Sequence, residues 1–261
     1  MLWRQHLQLS NVTRIIWFDL KHELNPPIWI IIEWILFGLQ LAVYGAMISK
    51  LVTGITDYLQ FYAVGFVVMM TFEIGSHTGR QFVEHAHEGR LPYLLSLPIP
   101  RRTLFLAITL QGGVELALLL SVPLSVTLML IGNFTAISVM AVVATLFWLG
   151  FGVAGLMLAL SFIAFRSADI YAAITAGVSA LIIRFSTVLY PLIFLPPQYA
   201  TAALLSPLTY GADLVRLFLG FDPSLLLNPV YAAAVLTALA VCTLGLGAFL
   251  LQRLVEGVKS G

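Results

Sequence analysis

Residues 136–163 read AISVMAVVATLFWLGFGVAGLMLALSFI, an unbroken apolar run without a single charged side chain. A helix needs about 20 such residues to cross the hydrocarbon core of a bilayer. Five further runs have this character, at roughly 28–48, 58–76, 104–130, 170–192 and 229–251. Their length and continuity predict helices, because a membrane barrel would show short alternating strands instead. The expected fold class is an all-α integral membrane protein. Six spans fall within residues 28–261, and residues 1–27 form a separate N-terminal piece.

Composition agrees. Hydrophobic residues make up 60% of the chain and charged residues only 10%. A soluble domain carries about 25% charged residues to cover its surface. The formal net charge of +1 gives no basic field for nucleic acid. The one cysteine, Cys242, forms no intrachain disulfide and reads as a small buried apolar residue. Residues 1–25 carry Arg4, Arg14, Asp19, Lys21 and Glu23, which is not the pattern of a cleavable signal peptide.

The loops set the orientation. With both termini cytoplasmic, the inner side holds Arg4, Arg14, Lys21, Arg80, Arg90, Arg101, Arg102, Arg166, Arg253 and Lys259, ten of the thirteen basic residues. Lys50 and Arg216 fall outside, and Arg184 lies within a span. This positive-inside bias predicts a multi-pass protein of the inner or plasma membrane with both ends in the cytoplasm. Residues 3–25 mix Trp3, Leu7, Ile15, Trp17 and Phe18 with charges and stop at Asn25-Pro26-Pro27. They read as an amphipathic helix lying in the inner interface. Residues 28–130 and 136–251 share no motif, so no inverted repeat is expected.

The largest cytoplasmic loop runs from His77 to Arg102. The second helix is expected to continue to about Glu88, and a short amphipathic helix to cover Pro92 to Leu97. The third span then begins after Pro98 and Pro100, whose rings break a helix. The short apolar piece needs the membrane surface or a partner protein to cover it. His85 and His87 point about 200° apart on a helix, so they are not expected to bind metal. Arg80, Glu84 and Glu88, at spacings of four, read as surface ion pairs.

The outer segment 191–228 is cut by Pro191, Pro196, Pro197 and Pro207 into pieces of about ten residues, too short to cross a bilayer. They fit short re-entrant helices dipping into the outer leaflet, on which Asp213 and Arg216 can pair. Pro191, Leu195, Pro196, Pro207, Leu208, Thr209, Tyr210, Arg216 and Gly220 resemble the end region of type-2 ATP-binding-cassette (ABC) exporter permeases. Ser206 stands where that family usually has asparagine, and serine also caps helices. The likeness extends to the N-terminal interfacial helix, the six spans and the Leu-Pro-Ile-Pro-Arg-Arg end of the cytoplasmic loop. It implies a coupling helix that docks on an ATPase subunit, carried here by Glu84, His87, Glu88, Arg90, Pro92, Tyr93, Leu94 and Leu97. It also implies an outer re-entrant motif carried by Pro191, Pro196, Pro207, Tyr210 and Arg216.

No G-x-x-x-x-G-K-[ST] phosphate loop occurs, and none of the three lysines, Lys21, Lys50 and Lys259, follows a glycine. The chain is therefore expected to be no enzyme and to hold no cofactor or metal. The resemblance implies a separate ATPase subunit in two copies, which holds ATP and magnesium. It also implies a second permease chain, most simply a homodimer. The expected function is export of a hydrophobic or amphipathic substrate, drug-like or linked to lipid or oligosaccharide, by alternating access. The alternative is a secondary transporter or channel subunit working without ATP. An intramembrane enzyme fits less well, because His6, His22, His77, His85 and His87 all lie in cytoplasmic segments or at span ends.

Four charges fall within or at the ends of apolar runs. Glu33 and Glu73 lie near inner span ends and reach the interface. Glu115 and Arg184 fall about 16 and 21 Å from the inner ends of the third and fifth spans. Each costs about 2.5–3.5 kcal/mol at the bilayer centre unless compensated. They either form one buried pair or face the translocation path.

Overall fold

In a long apolar segment the backbone has only itself to bond with, and helix is the answer that closes every N–H on a carbonyl. The computed structural model describes residues 28–45, 47, 57–89, 101–163 and 167–258. The helix expected over 3–25 and the short piece from Pro92 to Leu97 lie outside these residues. No strand occurs among the described residues.

Helix α1 (Ile28–Gln40) passes into a π-helical turn (Leu41–Gly45). It is followed by α2 (Tyr58–His87), α3 (Arg101–Ile131), α4 (Ala136–Ile163) and α5 (Ala168–Arg184). Two short helices, α6 (Pro197–Ala203) and α7 (Pro207–Phe218), precede α8 (Pro229–Val258). Helix α4 coincides with the run 136–163. Helix α2 ends with Glu88 as its C-cap, and α3 is described from Arg101 onward. Helix α5 departs from expectation: the run 170–192 is helical only to Arg184. Four helices, α2, α3, α4 and α8, are long and apolar enough to cross a bilayer, and α1 is a shorter apolar helix.

Helix α4 is the axis of the bundle. An ideal Cβ on Gly75 of α2 would lie 3.0 Å from the Gly150 carbonyl oxygen of α4. On Gly155 it would lie 2.6 Å from the Leu244 backbone nitrogen of α8. Small residues let helices approach this closely, and that approach replaces the hydrophobic drive that lipid removes. The Thr243 hydroxyl adds an interhelical bond by donating to the Gly152 carbonyl at 2.7 Å. These contacts run α2, α4 and α8 parallel. Gln60 Nε2 donates to Leu130 O at 3.1 Å and Gln81 Nε2 to Glu115 Oε2 at 3.3 Å, which sets α3 antiparallel to α2.

Pro123 sits inside α3 and offers no N–H to the Leu119 carbonyl. The Trp34 indole of α1 supplies the missing donor, at 3.0 Å from Leu119 O. A proline in one helix thereby fixes where its neighbour docks.

The polarity of the molecule is that of a protein in lipid. Ile31, Ile35, Leu39, Ile137, Met140 and Val230 are exposed. Thr71, Gln111, Glu115, Asp213 and Arg216 are buried. Many hydroxyls bond back to their own helix, as Thr71 does to Val67 O at 2.9 Å and Thr145 to Ala141 O at 2.8 Å. Cys242, expected to be buried, is exposed on α8. An apolar surface in contact with acyl chains makes no demand that a thiol be hidden.

Candidate functional site

Chain order and helix direction define two ends of the bundle, one at Tyr58 and one at His87 of α2. At the Tyr58 end, the chain after Arg184 leaves the helix and exposes carbonyls that need donors. Arg216 of α7 provides them. It is fully buried, and its Nη1 donates to Thr187 O at 2.7 Å. Nη2 donates to Val188 O at 2.6 Å and to Phe61 O at 3.3 Å. The guanidinium carbon lies 3.4 Å from the Phe61 ring centroid, a cation–π contact. Asp213 Oδ1 is 3.6 Å from Nη1, and Asp213 Oδ2 accepts the Leu227 N–H at 3.1 Å.

The rest of this block repeats the pattern. Thr209 Oγ1 donates to Ala203 O at 2.7 Å and accepts the Thr187 N–H at 3.3 Å. The Tyr210 hydroxyl donates to Leu204 O at 2.6 Å. Pro191, Pro196 and Pro207 each stand at the start of a short helical piece. Ser206 occupies the N-cap of α7 but makes no capping bond; its hydroxyl donates to Ile182 O of α5 at 2.9 Å. Irregular backbone is thus met mainly by side chains of α7 and its flanks, and the Tyr58 hydroxyl of α2 adds a donor to Leu189 O at 3.1 Å. This is also why α5 stops where it does. The Asp213–Arg216 pair that their spacing allowed does form, and it lies buried at the centre of this block. In the exposed turn beyond it, Asp222 Oδ1 accepts the Ser224 N–H at 2.9 Å. The Ser224 backbone N–H and hydroxyl hold the Asp222 carboxyl below the usual carboxylate range.

Among the described residues, polar and charged side chains gather toward the His87 end. Glu115 is buried against His77 Nδ1 at 3.5 Å and Gln81 Nε2 at 3.3 Å. Glu115 and Arg184 therefore do not form the pair that was one expectation for them. Glu115 lies level with His77, about 26 Å along α2 from Gln60, and so belongs to this end rather than to the depth its own span suggested. The run of α2 to His87 and the start of α3 at Arg101 carry both helices past the apolar slab and shift the register. Arg184 is exposed at the last turn of α5.

A groove of about 430 Å³ opens between α2 and α5, lined by His77, Arg80, Glu84, Asp169, Tyr171 and Thr175 among others. Arg80 Nε bonds Glu84 Oε1 at 2.8 Å, the expected spacing-of-four pair. Glu84, His87 and Glu88 continue along the end of α2, with His87 Nδ1 2.9 Å from Val83 O. Arg90, Pro92, Tyr93, Leu94 and Leu97 lie outside the described residues. A smaller cavity nearby is lined by Glu33, Met70, Glu73, Ile74, His77 and Leu119, so His77 forms a wall of both spaces.

Sequence reasoning missed the Trp34–Leu119 bond, the Phe61 ring beneath Arg216 and the His77–Glu115 contact. A signal existed for the first: a proline inside an apolar run leaves the carbonyl four residues earlier in need of a donor.

Fold and polarity define the class as an all-α protein embedded in a membrane. No protein-family model matches the chain, and no curated protein matches it.

Proposed function

We propose that the chain is the membrane-spanning permease subunit of an ABC exporter. In this reading it crosses the bilayer six times, with α1 and α5 completing the set of long helices and both termini in the cytoplasm. The Tyr58 end is then the outer end, where α6 and α7 are re-entrant, and the His87 end faces the cytoplasm of the inner or plasma membrane. The segment from Glu84 to Leu97 couples to a separate ATPase subunit, present twice, which binds ATP and magnesium. A second permease chain completes the pathway for a hydrophobic or amphipathic substrate, and this chain performs no chemistry on it.

The observation that carries the reading is the asymmetry of the bundle. One end is a closely packed block built from the proline-cut segment whose residues resemble the exporter motif, centred on Arg216, with a groove of about 280 Å³ lined by Asp57, Gln60, Asn133 and Asp222 beside it. At the other end, among the described residues, a larger groove of about 430 Å³ with polar lining residues lies between α2 and α5 beside the root of the coupling loop. An alternating-access permease needs one end packed more tightly than the other, and a rigid input at the looser one.

The test is purification of the tagged chain from its own cells, identification of an ATPase that co-purifies with it, and transport by that complex in sealed vesicles. ATP-dependent substrate movement is expected, together with co-purification that is lost on deleting residues 84–97. Substrate movement by the permease alone in liposomes, with no ATPase and no nucleotide, would overturn the reading in favour of a secondary carrier or channel.

A further inference from the structure

We propose that a second copy of this chain covers the α1/α2/α5 face through a reciprocal ion pair, Arg184 of each copy meeting Glu73 of the other. The inference rests on the two-chain reading above and adds which faces meet.

The first support is two charges without partners. Arg184 on α5 and Glu73 on α2 are both exposed, and neither forms an ion pair among the described residues. A lone charge facing acyl chains is costly, so intramembrane charges face protein or water. Glu73 opens on the small cavity it shares with Glu33 and His77, and Arg184 stands at the last turn of α5, so each faces a space that water or protein fills in place of acyl chains.

The second support is matched height. Arg216 Nη2 bonds both Phe61 O and Val188 O, so the chain just after α5 is level with the first turns of α2. Tyr171 near the start of α5 packs against Gly79. Interpolated at 1.5 Å per residue, the Arg184 Cα sits about 5–10 Å toward the Tyr58 end from Glu73. Side chains lean toward the N-terminus of their own helix. The two helices are antiparallel, so Arg184 leans toward the His87 end and Glu73 toward the Tyr58 end. Both lean into the gap, and their combined reach spans it.

The third support is room to approach. Ala173, Gly177 and Ala180, on the turns before Arg184, are exposed, and a Cβ at Gly177 would meet nothing within 4 Å. A closed two-fold dimer needs a patch that is complementary to itself. A cation on α5 and an anion on α2 at matched depth meet that need, and two copies then make the contact twice. Glu33, beside Glu73 in the same small cavity, adds a second carboxylate to the acceptor side.

The reciprocity gives a decisive test. Two differently tagged chains are co-expressed, one carrying Glu73→Arg and the other Arg184→Glu. Either variant alone places like charges at both contacts, and recovery of its homodimer is expected to fall about tenfold or more. In the mixed pair both contacts are again of opposite sign, and co-purification of the two tags is expected to recover. No recovery over either variant alone would overturn the proposal. A second arm keeps the other charges native. One chain carries Glu73→Cys, the other Arg184→Cys, and both carry Cys242→Ser, because Cys242 is exposed. A bifunctional thiol reagent with an arm of about 10 Å, matched to an offset that a direct disulfide would not span, is expected to link the two tags only in the mixed pair. An absent link, in a preparation that remains dimeric, sinks this face while leaving the exporter reading intact. A wild-type complex holding a single permease chain sinks the two-chain reading itself.

Discussion

Arg216 and Arg184 stand at either end of the same break in the chain fold, and their surroundings are opposite. Arg216 is buried under three carbonyls, one carboxylate and one aromatic ring. Arg184, at the last turn of α5, is exposed and forms no ion pair among the described residues. The first holds irregular backbone together and has no freedom to do anything else. The second contributes little to its own chain, so whatever it does involves another molecule. In a membrane, burial and function separate along this line: a charge paired within its own chain builds the scaffold, and one without an ion pair points at what the scaffold meets.

The largest expected effect follows directly. Arg216→Leu leaves Asp213 buried without its cation and the Thr187 and Val188 carbonyls without donors. The loss is about 3–5 kcal/mol, as for other buried pairs broken on one side. Thermal unfolding of the purified chain in detergent would read it. Arg216→Lys is expected to recover less than half, because a single ammonium cannot reproduce the planar fork that reaches three carbonyls. Arg184→Gln in the isolated chain is expected to stay within about 0.5 kcal/mol of wild type. Equal losses at the two sites would erase the distinction.

The two glycines Gly155 and Gly177 sharpen it at the level of packing. Gly155→Ala pushes a methyl into the Leu244 backbone, where the nearest atom is 2.6 Å from the new carbon. Helices α4 and α8 must separate, at about 1–3 kcal/mol. Gly177→Ala meets open space and gains helix propensity, so the isolated chain should be stabilised by up to about 1 kcal/mol. The same Gly177→Ala change should weaken recovery of the two-chain complex if α5 is the face that another copy approaches. A size measurement on the assembled complex, set beside unfolding of the isolated chain, reads both.

The helices were legible in the sequence wherever lipid alone decides their form. The run 136–163 became α4 without adjustment, because an uncharged run of that length has one way to satisfy its backbone. The stretch after Arg184 was not legible, since its conformation is set by donors on α7 that lie more than twenty residues away in the chain. The spacing of Asp213 and Arg216 showed that they could pair but not that Phe61, Thr187 and Val188 would close around them. Glu115 was misplaced because depth counted along its own span ignores the register between α2 and α3. The Gln60–Leu130 and Gln81–Glu115 bonds set that register. Prolines were the exception: Pro191, Pro196 and Pro207 announced local breaks that need no tertiary information.

A smaller effect is expected where α1 meets α3. Trp34→Phe keeps the ring and removes the donor to Leu119 O, at about 1 kcal/mol. Pro123→Ala returns a backbone N–H to that carbonyl. In the double variant the loss at Trp34 should therefore shrink, and a double-mutant cycle measures by how much. Additive losses would mean that the indole matters for packing alone.

The aspartates repeat the comparison at the weak end of the scale. Asp213 is buried beside Arg216, and Asp222 is fully exposed, capping the turn Pro223–Leu225 through the Ser224 N–H. The Asp222 carboxyl is held below its usual range by that N–H and the Ser224 hydroxyl. A carboxyl depressed in the folded state contributes stability above its unfolded pKa, and that contribution is lost as pH falls through the folded value. Asp222→Ala should therefore lower the melting temperature by about 1 °C at neutral pH and by nothing once the wild-type carboxyl is protonated. Asp213→Ala should cost far more at neutral pH, because it strands the buried Arg216 and frees the Leu227 N–H. Solvent offers Asp222 a substitute partner for everything it touches, whereas Asp213 has none. A difference that vanished between the two variants would mean that water reaches the Arg216 block.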